Sequence, residues 1–209
     1  MKIVIFLFTL ILTSCGDRYA SKDYSTDIYS NIVGGVRLDF PRNYVEAYSK
    51  KNGTILSEVN YYTVFPSFEG YRKGNEEEFH RLGGNRIRFT LGSNSELRNG
   101  MNTNELRWSH YLKKYLDAES KRLEGDFEVY DSPIFEREEF YKTEIDGDIV
   151  YFNCGKLNDK VFINPSCKCF HNIDKDINIR YTLSRKNLKY YKEIHHNLVS
   201  LVKDFIVKS

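Results

Sequence analysis

The sequence predicts an α+β fold in which antiparallel sheet packs against two longer helices, the second of them at the C-terminus. Several short segments alternate apolar and polar residues, which is the period of a half-buried strand. Asp146-Gly147 separates two such segments and is a strong hairpin signal. Two other stretches, residues 105–123 and 188–205, carry apolar residues at helical spacing.

The chain begins with a segment typical of an export signal. Lys2 precedes an apolar run over residues 3–12, and Leu12-Thr13-Ser14-Cys15 closes the segment. The run is about ten residues long, whereas a spanning helix needs roughly 20, so we expect the segment to be removed. The four closing residues resemble the lipobox of bacterial lipoproteins. The resemblance implies a signal peptide over residues 1–14 and a lipidated Cys15 at the start of the mature chain.

Residues 15–31 are expected to form the lipidated cysteine and a flexible tether, because residues 16–31 are polar and have no regular period. A tether of this length reaches roughly 20 Å. Gly16 occupies the position at which some bacteria use Asp to retain lipoproteins in the inner membrane. The resemblance therefore implies an outer-membrane anchor facing the periplasm. Residues 32–209 should form a single globular α+β domain.

The charge balance argues against nucleic acid as a partner. The net charge is +2, and Lys2 of the expected signal peptide is included in it. A balance so close to neutral gives neither a footprint for a polyanion nor a basic cluster that holds a membrane. We therefore expect membrane attachment through the lipid anchor, which two or more acyl chains make stable.

The first half is predicted to be mostly sheet, with strands over residues 36–40, 56–65 and 86–91 and a turn at Asn52-Gly53. A helix follows. Asn102 and Glu105 suit a capping box, and the apolar spacing continues to Leu123, before Gly125.

The second half is predicted to contain a hairpin, a further strand and the last helix. Strands over residues 140–144 and 149–154 flank Asp146-Gly147, and residues 177–183 alternate again. Ser184 is the expected cap of the final helix. Its apolar stripe comprises Leu188, Tyr191, Ile194, Leu198, Leu201, Val202 and Phe205.

Three cysteines follow the lipobox, and an exported compartment favours disulfides. The turn-forming residues 164–166 can fold Cys167 back onto the strand that ends near Cys154, closing a loop of about 14 residues worth roughly 3 kcal/mol. Cys154 with Cys169 is the alternative pairing, and reduced or intermolecular states stay open. In an extended segment Cys167, Cys169 and His171 would share a face and, with Cys154, form a Cys3His zinc set. Because only one short ligand spacing is present, we expect no metal.

No nucleophile elbow, paired metal-binding histidines, phosphate-cradling glycine loop or dinucleotide fingerprint occurs in the sequence. His195 and His196 are neighbours on the last helix, about 100° apart, and we expect both to be solvated. We predict that the protein is not an enzyme and takes no cofactor. Tyr61, Tyr62 and Tyr71 lie among polar residues, and since exposed tyrosines favour interfaces, they are our candidate partner-binding residues.

Several segments resemble small exported proteins and lipoproteins associated with type VI secretion, over about residues 35–207. These are Val36-Arg37-Leu38-Asp39-Phe40-Pro41-Arg42-Asn43-Tyr44, Phe65-Pro66-Ser67-Phe68, the Asn-Pro-x-Cys turn at residues 164–167 and the spacing of the last helix. The resemblance implies an immunity protein that neutralises a toxic effector in the periplasm, as lipid-anchored members do for phospholipase effectors. Tyr191 departs from the Trp expected there, and Cys169 is extra. The alternative is an envelope lipoprotein that binds a structural cell-wall or outer-membrane partner.

Overall fold

The computed structural model describes residues 24–45, 53–81, 83–94, 103–157 and 164–207. The predicted signal peptide and Cys15 lie outside these ranges. The described residues confirm the α+β prediction, with two sheets and three α-helices. The strands are β1 (Ile28–Val33), β2 (Val36–Pro41), β3 (Thr54–Leu56), β4 (Glu58–Val64), β5 (Arg86–Ser93), β6 (Arg122–Glu124), β7 (Phe127–Asp131), β8 (Glu138–Ile145), β9 (Asp148–Gly155), β10 (Ser166–Asn172), β11 (Ile177–Ser184) and β12 (Ile206–Val207). The α-helices are α1 (Glu76–His80), α2 (Asn104–Tyr115) and α3 (Tyr191–Phe205).

The larger sheet is antiparallel throughout and has the order β4-β5-β11-β10-β9-β8-β7-β6. The smaller sheet has the order β12-β2-β1-β3, in which β1 and β3 are parallel. The main core lies between one face of the larger sheet, the smaller sheet and α3. Alternate residues of most strands point into it, and Ile87, Phe89 and Leu91 of β5 are fully buried there, as their spacing predicts.

The opposite face of the larger sheet is covered over part of its width by α2. Trp108 of α2 packs between Tyr130 of β7 and Tyr151 of β9, with ring centroids 5.4 and 5.5 Å away. Phe140 of β8 completes this second cluster. The same face of β4, β5 and β11 carries exposed or half-buried polar side chains beside the helix. This uneven cover creates a groove.

The hairpin predicted at Asp146-Gly147 is present. Both residues have positive φ, 54° and 85°, and Ile145 pairs with Asp148 across the turn. Two consecutive residues with positive φ match the right-handed twist of the strands on either side. Gly53 also has a positive φ of 80°, whereas Asn52 of the other predicted turn lies outside the described residues.

The predicted boundary between tether and domain is wrong, because β1 begins at Ile28 rather than after residue 31. β1 lies between β2 and β3, and its Tyr29 and Asn31 are buried. The polar residues Ser30 and Asn31 interrupt the apolar pattern of this strand, so the sequence around it looks like part of the polar segment 16–31. The folded part therefore begins closer to Cys15 than predicted.

Both helices begin later than predicted, and the first also ends earlier. Thr103 caps α2 by accepting a hydrogen bond from the backbone N–H of Leu106 at 3.1 Å, while Asn102 lies outside the described ranges. α2 ends at Tyr115, and the chain reaches β6 through a 3-10 turn instead of continuing to Leu123. Ser184 precedes a 3-10 turn, Arg185–Tyr190, and α3 starts only after it.

The apolar stripe of the last helix is confirmed, since all of its residues contact the main core. None of the helices in the described ranges has the length and apolar character needed to cross a membrane.

Candidate functional site

The exposure expected of two candidate tyrosines is wrong. Tyr61 is fully buried on the core side of β4, where its ring stacks 4.0 Å from Phe40 and 5.3 Å from Phe89, centroid to centroid. Tyr71 is also buried, against Phe79. Asn60, a polar neighbour of Tyr61 on β4, points to the opposite face of the sheet. Tyr62 points away from the main core and is half-buried, with the Arg86 guanidinium 5.3 Å from its ring centroid.

The structure confirms the predicted disulfide. Cys154 and Cys167 are bonded to each other and sit directly opposite in the β9–β10 register. Cys169, two residues further along β10, is a free thiol that is almost fully buried, and this burial raises its pKa to about 12. It stays protonated and unreactive at neutral pH.

The Cys154–Cys167 disulfide excludes the alternative pairing of Cys154 with Cys169, and it also contradicts the Cys3His zinc set. Cys167, Cys169 and His171 are all buried on one face of β10, as expected of a strand. However, the disulfide removes Cys154 and Cys167 as a pair of thiolate ligands. No group of three or more metal-ligating side chains occurs within the described ranges.

The prediction that His195 is solvated is wrong, because His195 belongs to a polar cluster at the end of β10. His195 of α3 is buried, and its Nδ1 lies 3.1 Å from the hydroxyl of Tyr181. Its ring also contacts that of His171, with centroids 4.5 Å apart. Burial lowers the pKa of His195 to about 3, so it is neutral at physiological pH. His196 is exposed, as predicted, and its Nε2 is 3.0 Å from a carboxylate oxygen of Asp146.

The groove beside α2 is the candidate functional site. It has a volume of about 660 Å³, within the size range of ligand-binding clefts. Its floor is the outer face of β4, β5, β11, β10 and β9, and one wall is formed by α2. The lining residues are Glu58, Asn60, Arg88, Thr90, Arg107, His110, Tyr111, Tyr115, Phe140, Tyr151, Asn153, Lys168, Cys169, Phe170, Arg180, Tyr181 and Thr182.

The register of the larger sheet arranges the floor residues in rows across the strands. In one row Arg88 of β5 is paired with Thr182 of β11, and Thr182 is paired with Lys168 of β10. In the next row Thr90 is paired with Arg180, and Arg180 with Phe170. Because alternate residues of a strand share a face, both rows point into the groove. Three cations therefore lie on three adjacent strands.

Arg107 adds a fourth cation from the helical wall. It is buried, and its guanidinium lies over the ring of Phe170 at 3.2 Å from the centroid. Desolvation lowers the pKa of Arg107, and the positive charge of Arg180 lowers it further. The guanidinium keeps its charge, since an arginine remains protonated even with a reduced pKa.

The groove has an excess of positive charge that the chain as a whole lacks. Four of its lining residues are Lys or Arg, whereas Glu58 is the one lining carboxylate among the described residues, and it pairs with Arg180. The full sequence contains 31 Lys and Arg against 29 Asp and Glu. No described carboxylate forms an ion pair with Lys168, which is exposed. The arrangement is suited to hold anionic groups.

Sequence reasoning missed this site because its residues share no linear motif. Arg88, Arg107, Lys168 and Arg180 come from four elements, and only the strand order β5-β11-β10 makes three of them neighbours. The signal available in the sequence was a basic residue at an outward position of an alternating strand, as at Arg88 and Arg180. Such a position is common on any solvated sheet.

Comparison with known proteins gives a match at the level of fold. No protein-family model and no curated protein sequence matches the chain. The crystal structure of the iron-regulated outer membrane lipoprotein FrpD of Neisseria meningitidis is similar, with a TM-score of 0.52 and 12% sequence identity. The alignment covers 90% of this chain and 97% of that chain. The two proteins share a fold.

Proposed function

We propose that this protein is a lipid-anchored component of the bacterial outer membrane whose folded domain faces the periplasm, binds a protein partner and performs no chemistry. The observation that carries the proposal is a coincidence of two independent features. The N-terminal segment ends in Leu12-Thr13-Ser14-Cys15, and the folded domain resembles a solved outer membrane lipoprotein over nearly its whole length. The lipobox lies within residues 1–15, whereas the structural similarity rests on the folded domain, so each feature supports the proposal separately.

The groove supports the binding part of the proposal. Cations and aromatic rings in one recess suit an interface with an anionic partner. A protein held at the membrane meets other envelope proteins at a raised effective concentration, so even a moderate intrinsic affinity is sufficient there.

Cell fractionation and partner capture test this proposal together. The wild-type chain should be found in the outer-membrane fraction, and Cys15→Ser should release it or leave it in the inner membrane as an uncleaved precursor. Cys169→Ala, which removes a different cysteine, is the matched control and should stay in the outer membrane. Crosslinking in growing cells should capture a partner with the wild type. A wild-type protein recovered in the cytosol, or one that crosslinks to nothing in any growth condition, would contradict the proposal.

The identity of the partner is a finer proposal, motivated by the resemblance to proteins associated with type VI secretion. On that basis the partner is a toxic effector delivered into the periplasm, and the protein neutralises it. Cells lacking the gene should then be killed in co-culture by siblings that deliver the effector, and expression of the gene should restore survival. Unchanged survival, together with capture of a cell-wall or outer-membrane component from a pure culture, would favour the alternative of a structural partner.

A further inference from the structure

We infer that the groove beside α2 binds an extended, acidic segment of a partner protein. Carboxylates of the segment would lie against Arg88, Arg180 and Lys168, and an apolar side chain against the aromatic wall. This inference rests on the proposed function, because it names the part of the partner that the domain recognises.

The dimensions of the groove suit an extended chain. Its floor crosses five adjacent strands, from β4 to β9. Strands lie about 4.8 Å apart, so four spacings give a length of roughly 19 Å. A segment of about six residues spans this distance at roughly 3.3 Å per residue.

The cations come from three adjacent strands, so several anionic groups can meet them separately. Arg88 and Lys168 occupy the same row with Thr182 between them, which separates their backbones by about 10 Å. Arg180 lies in the neighbouring row of the intervening strand. Carboxylates at alternate positions of an extended peptide are about 7 Å apart and can reach such a set one by one. A chain with several carboxylates therefore matches the charges better than a lone phosphate.

Glu58 makes the two ends of the groove differ in charge. It lies on β4, at one end of the floor, and its carboxylate is paired with Arg180. It repels an anion at that end, while Lys168 on β10 has no such neighbour among the described residues. The acidic part of a bound segment should therefore lie over β5, β11 and β10 rather than over β4.

The far side of the groove is aromatic. The rings of Tyr111 and Tyr151 are 5.5 Å apart, centroid to centroid, and Phe170 lies under Arg107. Tyr111 and Phe170 are half-buried, so part of each ring faces the groove. An aromatic or aliphatic side chain next to the carboxylates would pack there. A flat bilayer surface does not enter a recess walled by α2, which favours a polypeptide over anionic lipid.

Peptide binding to the full chain, purified in a non-ionic detergent, tests the inference. The probe is a fluorescent pool of octapeptides with Glu at alternate positions and mixed residues between them, and the comparison pool has Gln in place of Glu. We expect the Glu pool to bind at least tenfold more tightly and to weaken as salt is added. Lys168→Glu should reduce its affinity at least tenfold, whereas Lys186→Glu, the same charge change at an exposed site outside the groove, should alter it less than twofold. Glu58→Gln should increase the affinity.

Other outcomes overturn the inference. Equal binding of both pools, or no binding of the Glu pool at millimolar concentration, rules out an acidic segment. Competition by inorganic phosphate at the same concentration as the peptides would indicate a small-anion site. Binding to vesicles containing phosphatidylglycerol, lost in Lys168→Glu and without peptide binding, would indicate a lipid site. None of these results affects the lipid anchor or the capture of a partner, so failure here is distinct from failure of the proposed function.

Discussion

Asn104 and His171 are joined by a buried hydrogen bond that ties the start of α2 to the end of β10. The amide Nδ2 of Asn104 donates to Nδ1 of His171 over 2.9 Å, although the residues are 67 positions apart in the chain. The amide Oδ1 of Asn104 accepts a second hydrogen bond, 3.0 Å long, from the backbone N–H of Asn172. One buried side chain therefore fixes the first turn of the helix that walls the groove.

Replacing Asn104 by Ala should lower the free energy of unfolding by about 2–3 kcal/mol, because it leaves a buried ring nitrogen and a backbone N–H without these partners. Urea unfolding followed by circular dichroism measures the change. Asn197→Ala is the control, since Asn197 is exposed on α3 and donates its amide hydrogen bond to the carbonyl of Glu193. Equal effects of the two substitutions would show that the Asn104 contacts do not hold the helix.

Trp108 should be the apolar residue on which α2 depends most. It is buried against Tyr130 and Tyr151, so Trp108→Ala should lower the free energy of unfolding by about 3–5 kcal/mol. Leu106→Ala, on the exposed side of the same helix, should change it by less than about 0.5 kcal/mol. Chemical denaturation followed by circular dichroism suits both variants, because Trp108 is the one tryptophan of the sequence. A small loss in Trp108→Ala would mean that α2 docks through other contacts.

Acid should destabilise the fold through His195. Burial lowers its pKa from 6.5 to about 3, and burial also lowers the pKa of His171. Between about pH 6.5 and 3 the unfolded chain binds a proton at residue 195 and the folded chain does not. The stability contributed by neutral His195 is thus complete above pH 6.5 and falls by up to about 1.4 kcal/mol per pH unit below it.

The test compares the free energy of unfolding at pH 7 and pH 5. His195→Gln should shrink the difference by about 2 kcal/mol relative to the wild type, because the proton-linked part is removed. His196→Gln, at the exposed neighbouring position, should change the difference much less, because His196 is only a minor cause of the lowered pKa of His195. Asp148 raises the pKa of His171 and Lys203 lowers it, and both residues are unchanged in the two variants. An identical pH dependence in wild type and His195→Gln would contradict the prediction.

Local patterns in the sequence were sufficient to predict the elements whose signal lies within the element itself. Asp146-Gly147 specifies its hairpin because two positive-φ residues are favoured in that turn. Ile87, Phe89 and Leu91 specify the buried face of β5 by alternation alone. The pairing of Cys154 with Cys167 followed from a strand and a turn that are adjacent in the chain.

Features that depend on tertiary neighbours could not be predicted in this way. Tyr61 lies among polar residues in the chain, but the smaller sheet packs over its face of β4 and buries it. β1 has Ser30 and Asn31 at its centre and is paired with a strand on each side. The groove requires the order β5-β11-β10, in which β5 and β11 meet across more than 80 residues of sequence. Residues so far apart in the chain leave no local pattern that would show that they are neighbours in the fold.

Removal of the disulfide should lower stability without changing the fold. Cys154 and Cys167 are 13 positions apart, and the loop-entropy model gives a contribution of about 3 kcal/mol for a loop of this size. The double variant Cys154→Ala with Cys167→Ala should lose this amount in urea unfolding. Alkylation of the unreduced protein should label one thiol of the folded domain, Cys169, and only after unfolding, because that thiol is buried. A crosslinked peptide containing Cys169 would contradict the assignment.

Mass spectrometry of the N-terminus of the protein purified from membranes tests the central proposal most directly. We predict that the mature chain begins at Cys15 and that trypsin releases residues 15–18, ending at Arg18, with the added mass of a diacylglyceryl group and a fatty acid. Residues 1–14 should be missing from the mature protein. Recovery of a peptide that still contains the leader, or of residues 15–18 without lipid, would contradict it.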